Sequence, residues 1–247
     1  MKKAVRCALI ACAWLALWAL AARLVDKPLL LPGPLLTART LGRLVLTADF
    51  WSSAGMTLLR VGVGFLCAVA LGGVLGALCA FWEWARAFLT PVKRVLRATP
   101  VTSFIILVLL WLRTDMAPAF IAFLMVTPMI WENVETGIQK TDPSLLEMAR
   151  AYRLTGAQKA KEIYWPSVQP YLASASMTGL GFAWKSGVAA EVIARPLNAI
   201  GSKLQDAKVY LETPELFAWT AVVVLLSMLL EFALKRLTAG LSARRHG

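Results

Sequence analysis

The side chains that usually carry catalysis or hold metals are sparse in this sequence of 247 residues. Its one histidine is His246, and its four cysteines lie in apolar runs without a metal-ligand spacing. The sequence has no histidine that could serve an embedded catalytic triad and no G-x-x-x-x-G-K-[ST] loop that could cradle a phosphate. It therefore predicts a chain with no metal site, acting as a conduit whose energy comes from an ion gradient or a partner.

Lys185 is the most unusual charged residue, because it lies within an otherwise apolar stretch between Trp184 and Ser186. A lysine near the centre of a bilayer costs about 2.5–3.5 kcal/mol on insertion scales, so it normally faces protein or water. One interpretation is that Trp184, Lys185 and Ser186 line a pathway in which the lysine attracts an anionic solute. The alternatives are a salt bridge with Glu132 or Glu135, or a position nearer the membrane interface.

The segment 141–170 is polar and interrupts the apolar pattern. Asp142 can cap a helix, Pro143 suits its first turn, and Gly156 is a plausible end. A second short helix is predicted over residues 157–164. The segment thus predicts two short amphipathic helices, which either rest on the lipid surface or dock a soluble partner.

The composition identifies the elements that must position these residues. Hydrophobic residues make up 59% of the chain and charged residues only 16%, which argues against a soluble enzyme. Six stretches are apolar and long enough to be considered as membrane helices: residues 4–22, 55–82, 96–112, 117–131, 171–193 and 216–234. The fold class predicted is an all-α polytopic membrane protein with about six transmembrane helices.

The charge distribution orients these helices. The net charge is +12, and sixteen of the 26 lysines and arginines lie in segments on the side of the N-terminus. This bias predicts that both termini are cytoplasmic, and the spread of cations along loops argues against nucleic-acid binding. We expect the first apolar stretch to be a retained helix rather than a cleaved signal peptide. Arg60, near the outer end of its helix, is expected to snorkel or pair locally.

Three regions follow from this map. Residues 1–52 hold the first transmembrane helix and an outer loop. Residues 53–238 form a five-helix core that includes the cytoplasmic segment 141–170. Residues 239–247 form a basic cytoplasmic tail. Within the core, Gly72 and Gly76 have the spacing that lets helices approach closely in lipid.

The cytoplasmic segment carries part of a known signature, which reads Glu-Ala-Ala, three residues, Gly, nine residues, then Ile-x-Leu-Pro. The positions that match are Glu147, Ala149, Ile163 and Pro166. The positions that depart from it are Met148, Arg153 and Trp165, and a glycine follows three residues late, at Gly156. The chain resembles the permease subunits of binding-protein-dependent ABC importers, over roughly residues 31–236.

Four further elements, in the same order along the chain, make the nitrate, sulfonate and taurine type the nearest resemblance. They are Leu31-Pro32-Gly33-Pro34; Arg60, Val61, Gly64 and Phe65; Arg97 and Pro100; and Gly181, Ala183, Trp184, Ala190 and Glu191. The resemblance implies a type I importer permease core in a bacterial inner membrane, working as a dimer with a second permease copy. It also implies an ATP-binding subunit that holds the ATP and magnesium, and an extracytoplasmic binding protein that delivers a small anion or related solute.

The resemblance further implies roles for individual residues. The residues expected to couple to the ATPase are Glu147, Met148, Ala149, Arg150, Arg153, Gly156, Ile163 and Pro166. Those expected to meet the binding protein, unless they belong to an ordinary solvated loop, are Arg195, Lys203, Asp206 and Lys208. The alternative functions are a stand-alone secondary carrier or channel, for which matched halves are not seen, and an intramembrane enzyme, for which an embedded nucleophile and base are lacking.

Overall fold

The computed structural model describes the backbone of residues 2–243 and the side chains of residues 5, 6 and 9–236. Over this range the chain is built from helices and loops, with no strand, which confirms the all-α prediction. The helices are α1 (Lys2–Val25), α2 (Pro34–Val45), α3 (Ala48–Phe81), α4 (Glu83–Ala98), α5 (Val101–Val108), α6 (Ala117–Gln139), α7 (Pro143–Ala151), α8 (Gly156–Lys159), a π-helical turn (Ala160–Tyr164), α9 (Trp165–Ala194), α10 (Ile200–Val209) and α11 (Thr213–Ala243).

The core is centred on α6, which packs along α3 on one side and α9 on another. Three glycines of α3 permit the first contact. A Cβ on Gly64, Gly72 or Gly76 would lie within 2.8 Å of a backbone carbonyl oxygen of α6. Because no side chain fits in that space, only glycine allows the two helices to approach so closely. The predicted packing role of Gly72 and Gly76 is confirmed.

Among the described residues, three helical segments are long and apolar enough to cross a membrane, namely Ala48–Phe81, Ala117–Gln139 and Thr213–Arg236. They contain most of the second, fourth and sixth predicted stretches. The first predicted stretch lies within α1, in which the apolar helix found among the described residues is the shorter segment Leu9–Val25. The fifth lies within α9, a helix of 30 residues.

The third predicted stretch, residues 96–112, is not one helix. α4 ends at Ala98, Thr99 and Pro100 are extended, and α5 then runs for only 8 residues. The physical reason is that a residue before proline is disfavoured in the helical conformation, and the proline itself has no N–H to donate.

The chain ends differ in detail from the predicted regions. The outer loop assigned to residues 1–52 contains the helix α2, and α3 begins within that region, at Ala48. At the other end α11 continues to Ala243 without a break at residue 239. The last part of the predicted basic tail, residues 244–247, lies outside the described residues. The division into these three regions stays a prediction.

Candidate functional site

The segment 141–170 begins as its sequence predicts. The Asp142 carboxylate accepts hydrogen bonds from the Ser144 backbone N–H and from the Ser144 hydroxyl, each at 2.8 Å. These bonds lower the pKa of Asp142 below its ordinary value, the side-chain bond having the larger effect. Pro143 occupies the first turn of α7, where an N–H would have no partner.

The end of α7 differs from the prediction. The helix stops at Ala151, and Arg153 has φ +54°, a left-handed conformation that glycine usually supplies. The Leu154 N–H donates to the Ala149 carbonyl at 2.9 Å, and the Arg153 N–H donates to that of Arg150 at 3.1 Å. This pair of bonds is a Schellman motif. Arg153 thus adopts the backbone conformation at the position where the family signature has its glycine.

Gly156 was expected to end the helix, and that expectation is wrong because Gly156 instead begins α8. Thr155 caps this start in a reciprocal arrangement. Its hydroxyl accepts from the Gln158 N–H at 3.4 Å, and the Gln158 side chain accepts from the Thr155 N–H at 2.8 Å. Such a capping box stabilises a helix start strongly enough to override the glycine as a stop signal.

The predicted second short helix, residues 157–164, is not separate either. It continues through the π-helical turn directly into α9, with Pro166 in the first turn of that helix. Pro166 has no N–H, and in a regular helix its ring would clash with the carbonyl of Glu162. The wider π turn accommodates this proline without ending the helix. Within the segment 141–170, α7 is therefore the one short helix that does not continue into another helix.

The predicted coupling residues fall into two groups by exposure. Ala149 is fully buried and Ile163 is 3% exposed. The members that reach solvent are Glu147, Met148, Arg150, Arg153, Gly156 and Pro166. The outer face of α7 thus combines charged groups with an exposed thioether, and Tyr152 adds an aromatic ring that is 77% exposed. We call this face the α7 surface.

Glu132 and Glu135 of α6 form ion pairs with residues of α4 and not with Lys185. Glu135 pairs with Arg86 at 3.1 Å and with Lys93 at 3.0 Å, and Glu132 pairs with Arg97. All three cations belong to α4. Because these carboxylates are already paired, the alternative in which Glu132 or Glu135 forms a salt bridge with Lys185 is wrong.

The three residues predicted to line a pathway have different surroundings. Trp184 is 1% exposed, and its indole N–H donates to the Val223 carbonyl of α11 at 3.0 Å. Ser186 is also buried and donates to the Ala183 carbonyl. Lys185 is exposed and borders a cleft of about 420 Å³ between α6, α9 and α11. Only the lysine, therefore, can reach a solute from this subunit alone.

A buried polar network joins the first part of α3 and the end of α9 to α10. Glu191 is fully buried and accepts from the Thr57 hydroxyl at 2.8 Å and from the Gly201 N–H at 3.1 Å. Arg60 pairs with Glu191 at 3.4 Å and donates to the carbonyls of Leu197 and Asn198. Arg60 also pairs with Asp115 at 3.7 Å. The expectation that Arg60 snorkels or pairs locally is wrong, since Glu191 lies 131 residues away.

Sequence reasoning missed this pairing, although both residues were quoted in the resemblance. The available signal was that an arginine and a glutamate, Arg60 and Glu191, each interrupt an otherwise apolar stretch. Opposite charges in two membrane helices are expected to pair, because each alone is costly in lipid. That signal identifies the two residues without showing that Thr57 and Gly201 complete the network.

The segment between α9 and α11 holds most of its charges in pairs. Arg195 pairs with Asp206, and Lys203 pairs with Asp49 at 2.6 Å. Lys208 is exposed at the end of α10. Of the four residues expected to meet a binding protein, Lys208 is thus the one without an ion pair in the described chain. Within the same described range, no group of three or more metal-ligating side chains comes together.

Comparisons with known proteins agree with this architecture. Residues 72–246 match the family model described as the binding-protein-dependent transport system inner membrane component. The chain is 26% identical to the putative aliphatic sulfonates transport permease protein SsuC of Bacillus subtilis (strain 168), over 76% of this chain and 68% of that protein. It is 24% identical to the taurine transport system permease protein TauC of Escherichia coli (strain K12), over 89% of this chain and 82% of that protein.

The fold is also found among solved structures. A chain of the MetNI methionine ABC transporter, crystallised in inward-facing conformations, superposes with a TM-score of 0.67 at 16% sequence identity. The match covers 79% of this chain and 97% of that one. At this identity the likeness concerns the fold alone.

Proposed function

Because this chain belongs to the family of binding-protein-dependent transport system inner membrane components, we propose that it forms the substrate pathway of an ABC importer and couples it to a partner ATPase. Membership confirms the resemblance drawn from the sequence, and the fold is that of a type I importer permease. Members of this family are multi-pass membrane permease subunits rather than enzymes. The ATP and magnesium are bound, in this proposal, by the separate ATPase.

The α7 surface is the observation that carries the coupling proposal. Glu147 and Arg150 project from a helix that is fixed at both ends, by the Asp142 cap and by the left-handed turn at Arg153. Ala149 of the same helix is fully buried. A short helix whose two ends are fixed in this way keeps its shape when a partner binds it, as a lever between an ATPase and a pathway must. Mixed charged and apolar exposure suits a protein partner.

We place the pathway along the exposed face of α9, against a second copy of this chain. Ser174, Thr178, Phe182 and Lys185 recur on that face at helical spacing, and all four are exposed in the single subunit. A face carrying two hydroxyls and an ammonium group is costly against lipid, which supports contact with water or with another subunit. Trp184 and Ser186 contribute by fixing the rotation of α9, since both are buried within the subunit.

The orientation follows from the two ends of α9. The α7 surface lies near its first residue and the segment with α10 follows its last one, and a helix of 30 residues spans about 45 Å. With the α7 surface cytoplasmic, as the charge bias favours, α10 faces outward, where a binding protein would deliver the solute. The proposed location is a bacterial inner membrane with both termini cytoplasmic.

The substrate we propose is a small anion or related small solute. The relatives named above are transport permeases for aliphatic sulfonates and for taurine. Lys185 supports this choice because it is an exposed cation on a membrane helix, with no ion pair in the described chain. Such a charge lowers the cost of bringing an anion into a low-dielectric passage.

The test is to reverse the charge of Glu147 and follow the ATPase. We expect Glu147→Arg to reduce copurification of the ATPase from membranes, and binding-protein-stimulated ATP hydrolysis, by about tenfold, since like charges at an interface repel. Glu212→Arg is the matched control, because Glu212 is also exposed and lies outside segment 141–170, between α10 and α11. Full coupling in Glu147→Arg, or equal loss in both variants, contradicts the proposal.

A further inference from the structure

A cavity of about 390 Å³ lies where α1 ends and α2 begins. Three basic side chains line it, namely Arg23 at the end of α1, Lys27 in the loop that follows, and Arg39 of α2. Asp26 lines it as well. All four side chains are exposed, and none has an ion pair in the described chain. Three positive charges and one negative charge give the cavity a net charge of +2.

Contacts with α11 place this cavity at the level of the lipid headgroups. The Trp18 ring of α1 stacks on Phe217 of α11 with a centroid distance of 6.0 Å, so the two helices lie side by side. In the loop that follows α1, the Leu29 carbonyl accepts a hydrogen bond from the Thr213 hydroxyl at 2.6 Å. Thr213 begins a segment that is long and apolar enough to cross a membrane. Because headgroups lie at the ends of such segments, the loop beside the cavity lies at their depth.

The position of these cations is unusual under the proposed orientation. With both termini cytoplasmic, the cavity lies on the outer side of the membrane, where lysines and arginines are normally scarce. Orientation does not explain the cluster, since cations on this side weaken the charge bias that orients the chain. The cluster is therefore expected to serve another purpose, and a cavity of net positive charge attracts an anion.

We propose that this cavity binds the phosphate group of an anionic phospholipid, with Arg23, Lys27 and Arg39 as the residues that hold it. Leu35 and Leu36 also line the cavity and are exposed, so they can contact the carbon atoms of the lipid. A free anion would gain nothing from these apolar side chains, whereas a lipid matches both kinds of surface. A lipid whose headgroup has no net charge gains less from the net positive charge of the cavity. This inference goes beyond the proposed function and does not depend on transport.

The test measures lipid binding to the purified full-length chain in detergent micelles by native mass spectrometry. Phosphatidylglycerol and phosphatidylethanolamine with identical acyl chains are titrated separately. We expect the anionic lipid to bind about tenfold more tightly at its strongest site, because the cations attract its net negative charge. Glycerophosphoglycerol, which is the same headgroup without acyl chains, separates the two sources of phosphate. It is expected to bind about tenfold more weakly than the intact lipid, since it lacks the apolar contacts.

Paired variants assign the preference to the cavity. Lys27→Gln with Arg39→Gln leaves one cation and one carboxylate there, a net charge of zero. This double variant is expected to reduce the tenfold preference for the anionic lipid to about one. Arg43→Gln with Arg113→Gln is the matched control, because it removes two exposed arginines that do not line the cavity. The control should keep the preference.

Asp26→Asn changes the charge in the opposite direction. It raises the net charge of the cavity to +3 and is expected to increase the preference about threefold. Asp26 has φ +48°, a left-handed conformation that asparagine adopts readily, so the substitution suits the backbone. A gain in binding, unlike a loss, is not produced by misfolding.

Four results overturn the inference. They are equal binding of the two lipids to the unmodified chain, a preference retained in the Lys27 and Arg39 double variant, an equal loss in the control, and no gain in Asp26→Asn. Binding of glycerophosphoglycerol as tight as that of the intact lipid also overturns it, because the site would then be one for a free anion. The measurement needs no ATPase, so a failure of the coupling test with Glu147→Arg leaves this outcome unaffected.

Discussion

Removing the positive charge from the buried network of Arg60 and Glu191 is expected to lower the free energy of unfolding. Arg60→Met keeps most of the side-chain volume but removes the guanidinium group. Glu191, which is fully buried, then retains only the hydrogen bonds from the Thr57 hydroxyl and the Gly201 N–H. The carbonyls of Leu197 and Asn198 also lose their donor.

The expected cost is large because the remaining carboxylate has no counter-ion at hand. Breaking a buried ion pair by removing one partner typically costs about 3–5 kcal/mol, whereas replacing both partners by neutral groups costs far less. Glu191→Gln neutralises the acid while its amide oxygen still accepts from Thr57 or Gly201. The double variant Arg60→Met with Glu191→Gln is therefore expected to be about 1–3 kcal/mol more stable than Arg60→Met alone.

The assay is a double-mutant cycle on the free energy of unfolding, measured by denaturant titration in detergent micelles. Arg43→Met is the control, because Arg43 is exposed and has no ion pair in the described chain. It should change the free energy by no more than about 0.5 kcal/mol. If Arg60→Met costs less than about 1 kcal/mol, or if the double variant is less stable than Arg60→Met, the network is not the buried charge pair described above.

Two further predictions concern backbone geometry. At Arg153, Arg153→Val is expected to speed hydrogen exchange of the Leu154 amide about tenfold relative to Arg153→Gly, because a β-branched residue is strained at positive φ; equal exchange rates in the two variants, which lose the same charge, would refute the left-handed turn. On α3, Gly64→Ala would place a Cβ 2.2 Å from the Ala119 carbonyl oxygen and is expected to lower the unfolding free energy by about 1–3 kcal/mol. Gly62→Ala, which meets no atom within 4 Å, should be neutral or stabilising by up to about 1 kcal/mol; similar losses in both would show that helix packing is not the cause.

Some local structure could be predicted because neighbouring residues decide it. Asp142 and Pro143 start α7, since a side-chain cap and a fixed φ act within one turn of the chain. The end of α7 could not be read in this way. Gly156 looked like the stop, but the Schellman bonds of Arg153 end the helix earlier and the Thr155 cap makes Gly156 the start of the next one.

The roles of the membrane charges depended on the fold. The acids proposed as partners of Lys185, Glu132 and Glu135, pair with cations of α4, because the break at Pro100 sets α4 apart from α5 as a separate helix beside α6. The resemblance identified Arg60 and Glu191 as notable residues without pairing them. Which faces of two helices meet is set by their packing and rotation, which no short sequence window contains.

By itself, the sequence determined that this chain is an all-helical membrane protein, where α7 begins, and to which family it belongs. These properties follow from apolar content, local caps and ordered motifs, all of which are written along the chain. Only the tertiary structure decided that Arg60 pairs with Glu191, that Trp184 and Ser186 are buried, and that Lys185 shares a cleft with Glu231. A charge in a membrane helix must be paired or solvated, and which of the two happens depends on the atoms that distant segments bring to it.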